Sequence, residues 1–349
     1  MTIFKGALRR LGLVALTVLA LPASAALADE LNIYNWGEYI NPAVLKKFEE
    51  ETKIKVNLST YSSNEEMLAK IQGGASGYDI VFPSVHMHDI MSKLDLLEKT
   101  DINTYDGFKN IDPQFLRAKS DPKGEYCLPY AFGTVGILYN RRVLGKDVAG
   151  WKDLLATVKE KNLKITLLDD MREVLGLGLI LNGHSVNSTD PAELQQSADT
   201  VIAMKPYVAA FTYDSRPMVG AGDVAAAHFF VGSMIDVFGN PKDLGYVIPE
   251  EGATMYQEDM CVLKSAPNKE NAVKFMQFYT RPEIAALNVA QQTNGTPNVP
   301  ARQLTPDNIK NSKEINPTDE TMKRLQIFDD LGSGIRQLDR VWTKVKTAQ

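Results

Sequence analysis

Trp36, Glu38 and Tyr39 stand together in LNIYNWGEY, the stretch from Leu31 to Tyr39. Two aromatic faces and one carboxylate suit an organic cation with a methylene body, because the ring quadrupole attracts the charge that the acid pairs with. Asp170 and Glu173 are three residues apart, so on a helix they would share its first turn and offer a second acidic pair. Taken singly, each of these residues has an ordinary explanation. Trp36 and Tyr39 suit the edge of a core, Glu38 is a solvated charge, and an Asp at a helix start is a cap. The acids could alternatively serve an exported hydrolase as an acid/base pair. No GxGxxG, P-loop, GxSxG or HExxH accompanies them, and the four histidines have no metal-ligand spacing. The residues therefore point to binding without a cofactor or metal.

The elements that must hold these side chains can be read around them. Alternation over Leu31, Ile33 and Tyr34 predicts a strand, and Asn41-Pro42 opens an amphipathic helix with Val44, Leu45 and Phe48 on one face. A strand over 54–58, a helix over 63–72 stopped at Gly73-Gly74, and a strand over 78–82 follow. This strand-helix alternation predicts a parallel α/β sheet, whose ligands bind beyond the carboxyl ends of the strands. Trp36 to Tyr39 and Ser84 to His86 both fall there. The run YCLPYAFGTVGILYN, from Tyr126 to Asn140, reads as one long bent strand able to pass between domains. A second α/β series begins with a helix at 151–158 and a strand at 164–168, after which Asp169-Asp170 opens a helix over 171–181. Strands are expected at 224–230, 244–248 and 259–263, and helices at 191–204, 269–278 and about 320–330.

Length and charge set the frame. Lys5, Arg9 and Arg10, an apolar run from Leu11 to Leu21, and small residues up to Ala28 have the layout of a secretory signal peptide, with cleavage before Asp29 or before Ala26. Removing 28 of 349 residues leaves 321, enough for two domains. The net charge of −5 becomes −8 once those three basic residues are gone, which suits cationic ligands and not nucleic acid. Export permits a disulfide between Cys127 and Cys261, but each lies in an apolar run where a buried free thiol is equally at home.

The segments YNWGEYI (34–40), YDIVFPS (78–84), LPYAFGTVGILYN (128–140), DDMREV (169–174), EGATMYQEDMCVL (251–263) and WTKVK (342–346) occur in the order seen in the polyamine-binding proteins of spermidine/putrescine ABC importers. The mature chain resembles that periplasmic family over essentially its whole length. The resemblance implies an α/β two-lobed binding-protein fold of type II, with residues 29–134 and 257–302 in one lobe. The second lobe would hold 135–256 and 303–349, including the C-terminal helices. It further implies a monomer that captures a polyamine or related organic cation and delivers it to a membrane permease; the alternative is the same fold holding a different amine, guanidino or amino-acid-like ligand, with a sensor role for a receptor. The family's aromatic box maps onto Trp36 and Tyr39, and its acids onto Glu38 and Asp259 at one end and Asp170 and Glu173 at the other. Ser84 matches a cleft serine.

Several positions depart from the family pattern. Gly37 replaces a hydroxyl residue and His86 a tyrosine, while tryptophan positions fall on Phe230 and on Tyr256 or Gln257. An aromatic position falls on Asn294 and a polar one on Phe328. Fewer rings weaken the hold on the ligand's chain by about 0.5 to 2 kcal/mol per ring. If His86 faces the ligand, its protonation near pH 6.5 should oppose a cation.

Overall fold

The computed structural model describes residue 2 and residues 29–348. The expected signal peptide therefore lies outside the described residues, apart from Thr2. None of the described helices is long and apolar enough to cross a membrane.

Ten strands share one hydrogen-bonded sheet: β1 Glu30–Trp36, β2 Lys55–Tyr61, β3 Ile80–Val81, β4 Cys127–Asn140, β5 Ile165–Leu167, β6 Val208–Phe211, β7 Ala226–Phe230, β8 Leu244–Val247, β9 Ala253–Val262 and β10 Leu325–Ile327. Their order is β2-β1-β3-β9-β4-β7-β5-β6, with β8 added to β4 and β10 to β9. The first three are mutually parallel, as are β7, β5 and β6. The two parallel groups meet only through the antiparallel pair β4 and β9. Each group has its own apolar core. Leu31, Ile33, Phe48, Ile80 and Phe275 fill one, to which β4 contributes Leu128 and Tyr130. Trp151, Leu154, Ile165 and Leu175 fill another, to which β4 contributes Ile137 and Tyr139. β4 thus passes from one core to the other, as its two apolar runs suggest.

Local signals mark several of the helix starts. The Asn41 side chain accepts from the Ala43 amide ahead of the helix Pro42–Thr52, Ser63 accepts from Glu66 N ahead of Asn64–Gln72, and Asp170 caps Met171–Leu181. Two expectations fail, and two further elements were not expected. The helix expected over 320–330 is a single turn at Asp319–Met322, after which Leu325–Ile327 pairs with β9 in parallel register. β6 and the last helix, Ile335–Thr347, went unread in the sequence. β9 begins at Ala253, six residues earlier than expected. Cys127 and Cys261, opposed across β4 and β9, are joined in a disulfide, which settles their open state.

Candidate functional site

Strand β9 organises the site because its side chains alternate faces. Thr254, Tyr256 and Glu258 project one way, toward Glu173, Asn294 and Tyr39 respectively. Gln257, Asp259 and Cys261 project the other way, toward the Phe115 carbonyl, His88 and Cys127. Asp259 therefore does not join Glu38. It is buried on the opposite face, 2.8 Å from His88 Nδ1, and Gln257 donates to its other oxygen. Glu258, not Asp259, is the acid that stands with Tyr39 and Ser84. A slip of one residue along a strand exchanges its faces, which is the physical content of this correction.

Glu258 is 5% exposed and accepts from the Tyr39 hydroxyl at 2.6 Å and from Ser84 Oγ at 3.3 Å. Ser84 is held in turn by the Asn64 amide, which donates to its Oγ at 3.1 Å. Burial pushes the Glu258 carboxyl up to about 8, the two hydroxyl donors opposing the shift and the Asp259 charge adding to it. At neutral pH this acid is largely protonated until a positive charge approaches it.

The second acidic pair is set by the start of the helix Met171–Leu181. Asp170 caps the Arg172 and Glu173 amides and accepts from the Tyr213 hydroxyl at 3.1 Å. The Glu173 carboxylate is buried and accepts from Thr254 Oγ1 at 2.5 Å. Desolvation first, then the Asp170 charge, raise it to about 8. Between Glu258 and Glu173 lies Tyr256, whose hydroxyl donates to Asn294. Phe230 meets the Tyr256 ring edge-on at 5.6 Å, and Tyr213 runs parallel to Phe230 at 6.3 Å. From Thr254 to Glu258 the strand advances about 13 Å, at roughly 3.3 Å per residue.

The remaining candidates are less central. Trp36 donates from its indole nitrogen to the Phe82 carbonyl and packs on Tyr61. Glu38 is exposed at a left-handed backbone position, φ 54°, and its charge reaches Arg216. His86 is half-buried, and burial together with the Arg172 charge lowers it to about 4, against the pull of Asp330, Asp89 and Asp329. A titration of His86 near pH 6.5 is therefore not expected in this protein. The sequence reading also passed over Arg172, whose guanidinium lies 4.4 Å from the centre of the Phe328 ring and donates to Asn187. A cavity of about 200 Å³ lies elsewhere, bordered by Phe115, Phe132, Arg302 and Met322, and none of these acids reaches it.

Two α/β halves joined by crossing strands, with acids and rings gathered along one of those strands, are the build of a two-lobed binding protein. The sequence agrees along nearly all its length. The family model for bacterial extracellular solute-binding proteins matches residues 43–317. The spermidine/putrescine-binding periplasmic protein of Escherichia coli K12 is 35% identical, over 97% of this chain and 98% of that one. A putrescine/cadaverine-binding protein of Pseudomonas aeruginosa is 32% identical, over 97% and 99%. The crystal structure of a spermidine/putrescine ABC transporter substrate-binding protein from Streptococcus pneumoniae superposes with a TM-score of 0.82 at 35% identity, covering 92% of this chain and 99% of that one. The chain belongs to the bacterial extracellular solute-binding proteins, alongside the periplasmic spermidine/putrescine binders with which it aligns. Proteins of this family serve solute transport.

Proposed function

We propose that this chain captures a polyamine in the periplasm and hands it to the permease of an ABC importer, acting as a monomer that is exported by residues 1–28. Its two lobes would comprise 29–134 with 257–302, and 135–256 with 303–349. The ligand would lie along β9 between them. Glu258, Glu38 and Tyr39 would receive one ammonium, and Asp170 and Glu173 the other. Trp36, Tyr256, Phe230 and Tyr213 would flank the methylenes, with Ser84 orienting Glu258 and His86 a neutral wall.

The observation that carries this reading is the pair of buried acids, Glu258 and Glu173, on the same face of β9 with Tyr256 between them. Glu258 takes its hydrogen bonds from hydroxyls, so its charge has no built-in counterpart at that end. Burying an ammonium requires such a carboxylate, since an unpaired buried charge is costly. The names of the relatives, which bind spermidine, putrescine or cadaverine, support the same ligand class.

The test is calorimetric titration of the exported protein with spermidine, putrescine and butylamine. Tight one-to-one binding of a polyamine and much weaker binding of butylamine is the expected result. Equal affinity for all three, or no heat from any, would remove the two-ended site. Recovery of each amine chemically unchanged would separate capture from hydrolysis.

A further inference from the structure

His88 lies outside the proposed ligand site, on the far face of β9, and is only 1% exposed. Its Nδ1 is taken by Asp259 at 2.8 Å, while its Nε2 is buried with no hydrogen-bond partner. A carboxylate on one ring nitrogen fixes the tautomer and aims the other nitrogen at a metal in carboxylate–histidine–zinc arrangements. One donor atom each from His88, Cys127 and Cys261 all lie within 4.8 Å of one another. Asp121 Oδ2 stands 4.0 Å from His88 Nε2 and is pinned by the amides of Tyr126 and Cys127. A void of about 10 Å³ is bordered by His88, Asp121 and Cys127.

We infer that, when the Cys127–Cys261 disulfide is reduced, the two thiolates, His88 Nε2 and the Asp121 carboxylate form a buried site for one thiophilic divalent cation of the zinc class. Donors about 2.0 to 2.3 Å from a tetrahedral zinc ion lie roughly 3.3 to 3.8 Å from each other, so the histidine nitrogen need draw in by only about 1.5 Å or less, while the two sulfurs, directly bonded in the disulfide, must separate to that spacing once the bond is broken. Pairing of β4 with β9 holds the two cysteine Cα atoms 4.5 Å apart and keeps the sulfurs facing each other after reduction. The chemistry balances with a dithiol as reductant. Two electrons and two protons pass to the cysteine sulfurs, the bond between them breaks, and the dithiol closes its own disulfide. The cation then displaces the two thiol protons and any proton on Nε2. Two thiolates, Asp121 and Asp259 bring four negative charges against the cation's two, and Arg117, on the wall of the void, lessens the excess. This reduced form exists in every chain before residues 134 apart in sequence are joined. The site would clamp β4 to β9 in that state as the disulfide does afterwards.

The experiment uses the full exported chain in metal-free buffer, oxidised or reduced with a phosphine, titrated with zinc against a chelating dye and with cobalt(II) as a spectroscopic stand-in. One equivalent of zinc on the reduced chain and none on the oxidised is expected. The cobalt form should show thiolate-to-metal charge transfer in the near ultraviolet and the intense visible bands of a tetrahedral ion. Asp259→Asn should weaken zinc binding about 10- to 100-fold while keeping the thiolate band, and His88→Gln should weaken it further. Circular dichroism checks that each variant is folded. The inference is overturned if the reduced parent takes up no more zinc than the oxidised one. A cobalt spectrum without thiolate charge transfer overturns it equally, as does wild-type affinity in a folded His88→Gln. The first two readings need no variant.

Discussion

Tyr39 and Glu258 are 219 residues apart in the chain, yet the Tyr39 hydroxyl donates to the Glu258 carboxyl at 2.6 Å. That contact joins the loop after the first strand to a strand crossing the middle of the sheet. It distinguishes Glu258 from its neighbour Asp259, which points into the opposite face and pairs with His88. Glu258→Gln should therefore cost a polyamine about 2 to 5 kcal/mol, the usual loss when one partner of a buried charge pair is removed. That is roughly thirtyfold to several thousandfold in affinity. Asp259→Asn should change affinity less than about threefold and act on stability instead. Calorimetry on the two variants decides the matter: a large loss for Asp259→Asn and none for Glu258→Gln would reverse the assignment of faces.

Binding should release protons. Glu258 and Glu173 are each raised to about 8, chiefly by burial, so both are mostly protonated at pH 7 in the ligand-free protein. An ammonium beside a carboxylate favours the ionised form and lowers these values. Affinity should rise between pH 6 and 8, by about tenfold per pH unit for each proton released, and level off above pH 9. Repeating the titration in buffers of different ionisation enthalpy measures the protons directly. A heat independent of the buffer at pH 7 would contradict the prediction.

The same two carboxyls make the empty protein less stable as pH rises. Their folded values, near 8, lie above the ordinary 4.5, so between those limits the folded state holds more protons than the unfolded chain. Stability then falls as pH climbs from about 4.5 to 8, because the slope follows the difference in bound protons. The ligand-free melting temperature should drop more steeply over this window in the parent than in Glu258→Gln, which has one fewer titrating acid. Parallel curves would show that Glu258 does not titrate in that range.

His86 gives a contrasting expectation. Burial and the Arg172 charge hold it near 4, so it stays neutral throughout the range in which the acids titrate. His86→Gln should leave the pH profile of affinity between 6 and 8 superimposable on the parent's. A profile that flattens near 6.5 in the variant would mean that His86 is more solvated than its position here.

The parts of this fold that were legible in the sequence are those governed by near neighbours. Asn41-Pro42, Ser63 and Asp170 announce helix starts because capping is local, and the two apolar runs joined at one bend in 126–140 announce a strand serving two cores. Leu325–Ile327 could not be read as a strand from its own residues, because its partner in β9 lies some 70 positions away and supplies the reason for pairing. The last helix was legible and overlooked. Leu338, Val341, Trp342 and Val345 recur at helical spacing and dock on the second core. The site was readable to a similar degree. Tyr256 and Asp259 are an odd number of residues apart, so one strand cannot aim both into one cleft. With Tyr256 rather than Gln257 taken as the cleft ring, parity exchanges Asp259 for Glu258. Tyr213 carried no such signal, since only the packing of its loop sets it parallel to Phe230.

Gly133 tests whether the Tyr256 ring must sit where it does. The two residues are register partners on β4 and β9, and a Cβ on Gly133 would fall 2.2 Å from the Tyr256 hydroxyl and 2.8 Å from Val231 Cγ1. Something must shift at such distances, so Gly133→Ala is expected to displace the ring and disturb its bond to Asn294. Overpacking of this kind costs about 1 to 3 kcal/mol in stability. If Tyr256 walls the methylenes between the two acids, affinity for spermidine should fall as well, and Tyr256→Ala should show the larger part of that loss. Their combination should then be less than additive, because both changes act on one ring. Fully additive losses in the double variant, measured by calorimetry at pH 8, would show that Gly133 and Tyr256 act on the ligand separately.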